Sequence, residues 1–188
     1  SRAAKANAAT TPRASSSAAG EFAVVEGAEI GNTDEGYVMH SAAEGFALKK
    51  LDQPITHQAT IRLKYQGAGG GTRNACFAFS AEPKNDSLIK AGTMIGMHQH
   101  GIFVGGWSQV KKGKSLKSSF EADAKFDAAV TIDLDRHVVT LVVDDATVES
   151  SLPPDLKEVR YVGYYTKGAS STFGPMKITQ TDEAPRGK

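Results

Sequence analysis

Cysteine is almost absent: Cys76 stands alone, so neither an internal disulfide framework nor an all-cysteine metal site is open to this chain. Long apolar runs are missing too. The longest are a few residues, far short of the roughly 20 that a helix needs to cross a bilayer, so no membrane span is expected. Charge of one sign is not in excess. Lysine and arginine number 22 against 21 acidic residues, and a formal charge of +1 over 188 residues gives no global pull on nucleic acid or anionic lipid. Aromatics make up 7% of the chain, and Trp107 is the only tryptophan. A helical stripe is the last absence, since no window of a dozen residues carries capped apolar positions at three- and four-residue spacing.

What is there instead is alternation. Ala59, Ile61, Leu63 and Tyr65 fall on one side of an extended segment, with Gln58, Thr60, Arg62 and Lys64 on the other. Successive strand side chains point to opposite faces, so this pattern predicts a half-buried strand. Val130, Ile132 and Leu134 alternate with Thr131, Asp133 and Asp135, and Val139, Leu141 and Val143 follow. Asp144 and Asp145 mark a turn before Thr147-Val148-Glu149. Shorter strands are predicted over 23–26, 37–40, 45–49, 75–80, 93–98, 101–104, 158–166 and 172–179. About a dozen strands with Gly-, Pro-, Asn- and Asp-marked turns predict one all-β domain, a two-sheet antiparallel β-sandwich. Ile61, Leu63, Ile132, Leu134, Leu141 and Val143 are expected in one core.

The domain is expected over 22–180, with tails at 1–21 and 181–188. Residues 1–20 are rich in Ala, Ser and Thr, carry Arg2, Lys5 and Arg13, and contain no acid. Such a stretch cannot build a core. Small residues with sparse positive charge suit the remnant of a targeting sequence, pointing to a secreted, periplasmic or cell-surface protein or to organellar import. A partner surface or self-association is the expected means of ordering this tail.

The stretch from Phe126 to Thr179 resembles the closing half of a concanavalin A-like, laminin G-like jelly roll. It offers a strand, a hairpin at Val142-Val143-Asp144-Asp145, an apolar loop, the strand Val162-Gly163-Tyr164-Tyr165 and a last strand. Ala146 stands where that hairpin usually has glycine. The opening, from Phe22 through the Gln58–Tyr65 strand, is similar to bacterial three-keto-disaccharide hydrolase-like domains of the same superfamily. The resemblance implies a jelly-roll fold and, for its hydrolase members, an acidic residue in a polar cleft following a strand like Asn74–Phe79. Here the segment Gly92–Trp107 contains no acid.

Catalytic motifs stop short in the same way. Family 16 glycoside hydrolases on this fold carry E-x-D-x-x-E on one strand; Glu121 and Asp123 match its first two carboxylates, but Phe126 stands where the acid/base belongs. Gly92, His98 and His100 match the opening of the cupin metal motif, yet Val104 and Gly105 occupy the glutamate positions. No catalytic residue, metal or cofactor is therefore expected. The glycine run after Tyr65 lacks a phosphate-loop lysine, and Cys76 between apolar strand residues reads as an inert thiol.

Binding suits the remaining residues. Sugar rings have apolar faces, so a lectin-like site pairs an aromatic platform with polar groups. Trp107 sits in a glycine-bounded loop, His98 and His100 can bond hydroxyls, and Lys111, Lys112, Lys114 and Lys117 concentrate positive charge without an acid among them. With Arg160 outward, strict alternation puts Val159, Tyr161 and Tyr165 inward and Tyr164 on the outer face. The expected ligand-binding set is Trp107, Lys111, Lys112, Lys114, Tyr164, His98 and His100, and the expected ligand is a glycan or acidic polysaccharide. Three functions follow from these readings: a non-catalytic carbohydrate-binding or adhesion domain, a structural subunit held partly by its N-terminal tail, or a glycan-cleaving enzyme of the three-keto-disaccharide type.

Overall fold

The computed structural model describes residues 16–68, 75–83, 93–98, 101–104, 111–112, 125–143 and 146–181. Fourteen strands lie among them. In chain order they are β1 (Ser16–Ser17), β2 (Val24–Glu26), β3 (Glu29–Thr33), β4 (Gly36–Ile55), β5 (Gln58–Ala68), β6 (Ala75–Ser80) and β7 (Met94–His98). After these come β8 (Gly101–Val104), β9 (Lys111–Lys112), β10 (Lys125–Asp133), β11 (Val138–Val143), β12 (Ala146–Ser151), β13 (Val159–Phe173) and β14 (Lys177–Thr181). One turn of 3₁₀ helix, Ala19–Glu21, is the helical element among the described residues.

All pairings are antiparallel, and the network doubles back into two layers because β4 and β13 run through both. The first sheet orders β12, β11, β10 and β5, then the end of β13 and the start of β4, then β3 and β1, with β14 beside β5. The second orders β2, the rest of β4, the start of β13, β6, β7, β8 and β9. β8 lies against β11 and β12, closing the sandwich at that side. A core between the sheets takes Ile61, Leu63, Ile132, Leu134, Leu141 and Val143, all buried, as the alternation requires. Each such side chain contributes about 1.5–3 kcal/mol through burial, set against the conformational entropy of ordering it.

Two expectations about length and face give way. Segments read as separate strands at 37–40 and 45–49 are one 20-residue strand, β4. The segment read as 172–179 is instead broken by Gly174-Pro175-Met176 between β13 and β14. The second sheet, moreover, has no simple wet face: Phe46, Leu48, Cys76, Ala78, Met94 and Tyr165 form a second buried cluster, with Val24 and Tyr161 packed against it. All six residues of β6 are buried.

Tyr164 is corrected by the same geometry. It was expected on the outer face, but its side chain is 0% exposed and belongs to the core between the sheets. The pairing of β13 with β4 slips between Val159 and Tyr161. Between those pairs β13 advances two residues while β4 advances five, and across this irregularity the alternation of β13 inverts, so Val159 and then Val162 and Tyr164 share the inner side. A second slip between Lys167 and Ala169 restores the other parity for Phe173, and Gly168 with φ 55° supplies the left-handed residue. The sheet also reaches further toward the N-terminus than residue 22. Ser16 and Ser17 pair with Asn32 and Gly31, and Ala18 is buried.

Candidate functional site

The outer face of the first sheet is built from polar residues that alternate with the core. On β5, Ile61 and Leu63 point inward, which turns Arg62 and Lys64 out. On β10, Phe126 and Ala128 are buried, leaving Lys125 and Asp127 exposed and Ala129 partly so. Register then assembles rows across strands. Lys64 faces Asp127, and Arg62 faces Ala129, which faces Val142 on β11. Val142, at 37% exposure, is the one large hydrophobic side chain exposed among the described residues.

These residues line an open groove of about 750 Å³ together with Glu35, from the turn before β4, and with Gly174 and Pro175. Its apolar patch is Ala129 and Val142, with Pro175 on the other side of β5. Its charges are partly satisfied: Lys125 Nζ donates to Glu35 Oε2 at 2.7 Å, and Lys64 Nζ lies 3.9 Å from Asp127 Oδ1. The hydrogen bond from Lys125, and next its charge, hold the Glu35 carboxyl below the usual carboxylate range. Beyond the groove a threonine row, Thr179, Thr60, Thr131 and Thr140, crosses four strands, with the Thr60 and Thr131 hydroxyls 3.2 Å apart. This surface can cover the apolar face of a ring while offering cations and hydroxyls at its edge.

The residues expected from sequence fall elsewhere. His98 ends β7 opposite Gly101, and Lys111 and Lys112 form β9, the last strand of the second sheet in this direction, opposite Val104 and Phe103. Trp107, His100 and Lys114 lie outside the described residues, as do Glu121 and Asp123. Tyr164 is in the core and leaves the site. The groove residues were visible in the sequence as the polar half of the clearest strand, but nothing local marked Arg62 or Lys64 as more than a wet face. Among the described residues, no group of three His, Cys, Asp or Glu side chains is placed to hold a metal ion.

No family model matches this chain, and no curated protein matches its sequence. Solved structures do match its architecture. A carbohydrate-binding module from Bacillus subtilis superposes with a TM-score of 0.60 at 13% identity, covering 82% of this chain and 93% of that one. The fold is a concanavalin A-like jelly roll. A Bacillus subtilis protein of galectin-like fold matches with a TM-score of 0.56 at 11% identity, covering 84% of this chain and 88% of its own. An alginate lyase matches with a TM-score of 0.52 at 11% identity, over 80% of this chain and 81% of the lyase. At such identities the likeness is one of fold, and a shared fold hosts both binding and cleavage. No helix among the described residues is long and apolar enough to cross a membrane.

Proposed function

We propose that this jelly roll is a non-catalytic carbohydrate-binding domain that takes a glycan on the outer face of its first sheet. The groove carries the reading: an apolar patch at Ala129 and Val142 lies beside cations and a row of hydroxyls, which is the surface chemistry a sugar ring presents in reverse. The solved carbohydrate-binding module of the same fold supports it as analogy. Lys125 holds the Glu35 carboxyl below the usual carboxylate range, which does not suit a general acid, and the glycan-cleaving reading of three-keto-disaccharide type is the alternative to binding. The structural-subunit reading rests on the N-terminal tail, of which residues 1–15 lie outside the described residues while Ser16 and Ser17 pair with β3. Secretion or display at a cell surface would bring such a domain to its ligand.

The test is a panel of immobilised polysaccharides probed with the parent, Val142→Asp and Trp107→Ala. Val142→Asp is expected to abolish retention while leaving the fold intact. Retention lost only with Trp107→Ala would move the site to the set expected from sequence, Trp107, His98, His100, Lys111, Lys112 and Lys114. Release of reducing sugars in the same incubations would overturn the non-catalytic reading, and retention of no polysaccharide would overturn glycan binding.

A further inference from the structure

We infer that the groove selects glycans bearing carboxylates, and that Arg62 with Lys177 is the pair that grips them; this rests on the groove being the glycan site. Register places Lys177 of β14 directly opposite Arg62 of β5. Facing residues on neighbouring strands have Cβ atoms about 5 Å apart, and like charges so placed repel. Arg62 lines the groove and Lys177 borders it beside Arg62, whereas the two lysines of the lining have partners, Glu35 for Lys125 and Asp127 for Lys64. Arg62 and Lys177 have neither an ion pair nor a side-chain hydrogen bond among the described residues. Two cations side by side with no counter-charge among the described residues are a cost that an anion removes and a neutral ligand leaves in place.

The row they belong to has a direction. Read across four strands it runs Lys177, Arg62, Ala129, Val142, so two cations give way to two apolar side chains over about 14 Å, three strand spacings. A uronic-acid unit has the same polarity, a ring face that covers apolar carbon and a planar carboxylate at its edge. The guanidinium fork of Arg62 matches that plane with two parallel N–H donors, whereas Lys177 acts as a point charge. Neutral sugars fill the apolar half alone.

The experiment titrates the intact chain with a polyuronate oligomer, the same oligomer after carboxyl reduction to the neutral sugar, and a sulfated polysaccharide of similar length. The polyuronate is expected to bind about tenfold or more tightly than its reduced form, with affinity falling as salt rises. Arg62→Gln and Lys177→Gln should each erase most of that preference and flatten the salt dependence. Arg62→Lys, which keeps charge and loses the fork, should restore the salt dependence but not the full preference. Neither glutamine variant should melt below the parent, because each relieves the repulsion; a lower melting temperature would show that the two cations are structurally engaged and overturn the pairing. Equal binding of the polyuronate and its reduced form overturns carboxylate selection while sparing the glycan reading. Tighter binding of the sulfated chain also overturns it, and binding of no chain overturns both readings together.

Discussion

Replacing Tyr164 by phenylalanine removes one oxygen from the centre of the sandwich, and its effect should change sign with pH. The ring stacks on Phe173 with centroids 4.4 Å apart and meets Tyr37 at 5.8 Å and Phe22 at 6.1 Å, contacts that phenylalanine keeps. The hydroxyl donates to the Gly174 carbonyl at 2.8 Å, and the Gly174 amide donates in turn to Lys64 O at 2.9 Å. The phenol therefore ties the β13–β14 connection, which walls the groove, to the second sheet. Without it the carbonyl loses a buried donor, at a cost of about 1–3 kcal/mol near neutral pH. Burial, and secondarily Tyr37, pushes the Tyr164 pKa well above the ordinary 10.0. The folded state then keeps a proton that the unfolded chain releases, so this group's stabilisation is complete below pH 10 and declines as pH rises beyond it, by about 1.4 kcal/mol per pH unit. Tyr164→Phe has no such group. Its deficit should narrow above pH 10 and vanish within about one to two units. Urea unfolding of both proteins at pH 7 and at intervals above pH 9 measures the gap, and the remaining titratable groups cancel in the difference. Equal stability at pH 7, or a deficit that stays constant through the alkaline range, would refute the burial of this hydroxyl.

Leu141→Ala, at a fully buried core position, should cost about 2–5 kcal/mol in urea unfolding, whereas Val142→Ala beside it should stay within about 0.5 kcal/mol of the parent. Similar losses at both sites would contradict the alternation of β11. The Cys76 thiol is buried, and burial pushes its pKa up, so a thiol reagent at pH 8 should label it only after denaturation. Prompt labelling of the folded protein would remove Cys76 from the second cluster. Gly163 lies between β4 and β6, where an added Cβ would press against the Ala47 carbonyl oxygen, so Gly163→Ala should lower the melting temperature sharply or prevent folding.

Legibility in the sequence followed how each strand is covered. β5, β10 and β11 each have one wet face, so burial alternates residue by residue and Ile61, Ile132 and Leu141 could be assigned to the core without a structure. β4 and β13 run through both sheets, and where they cross the second sheet both of their faces are buried. Alternation carries little information there. A bulge adds to the difficulty, since it inverts every later residue of the strand and has no dedicated residue type. Gly168 marks one of the two slips in β13; the one after Val159 has no such mark, and through it Tyr164 moved from the expected surface into the core.

The site was hidden for a different reason. Motif reading compares residues close together in the chain, which is why His98 with His100, and Lys111 with Lys112 and Lys114, drew notice. A site on a sheet takes one residue from each strand, and strands that touch can be distant in sequence: Arg62 meets Lys177 because β14 returns along β5, and meets Ala129 because β10 lies on its other edge. That pairing was unreadable while 172–179 passed for a single strand, since the break at Gly174-Pro175-Met176 is what lets β14 leave the line of β13 and lie beside residues 58–62. Once the break is known, the alternation of β5 already puts Arg62 outward, and the register puts a second cation against it. In this sandwich the turn chemistry between β13 and β14 therefore determines a surface charge pair that neither strand's composition reveals.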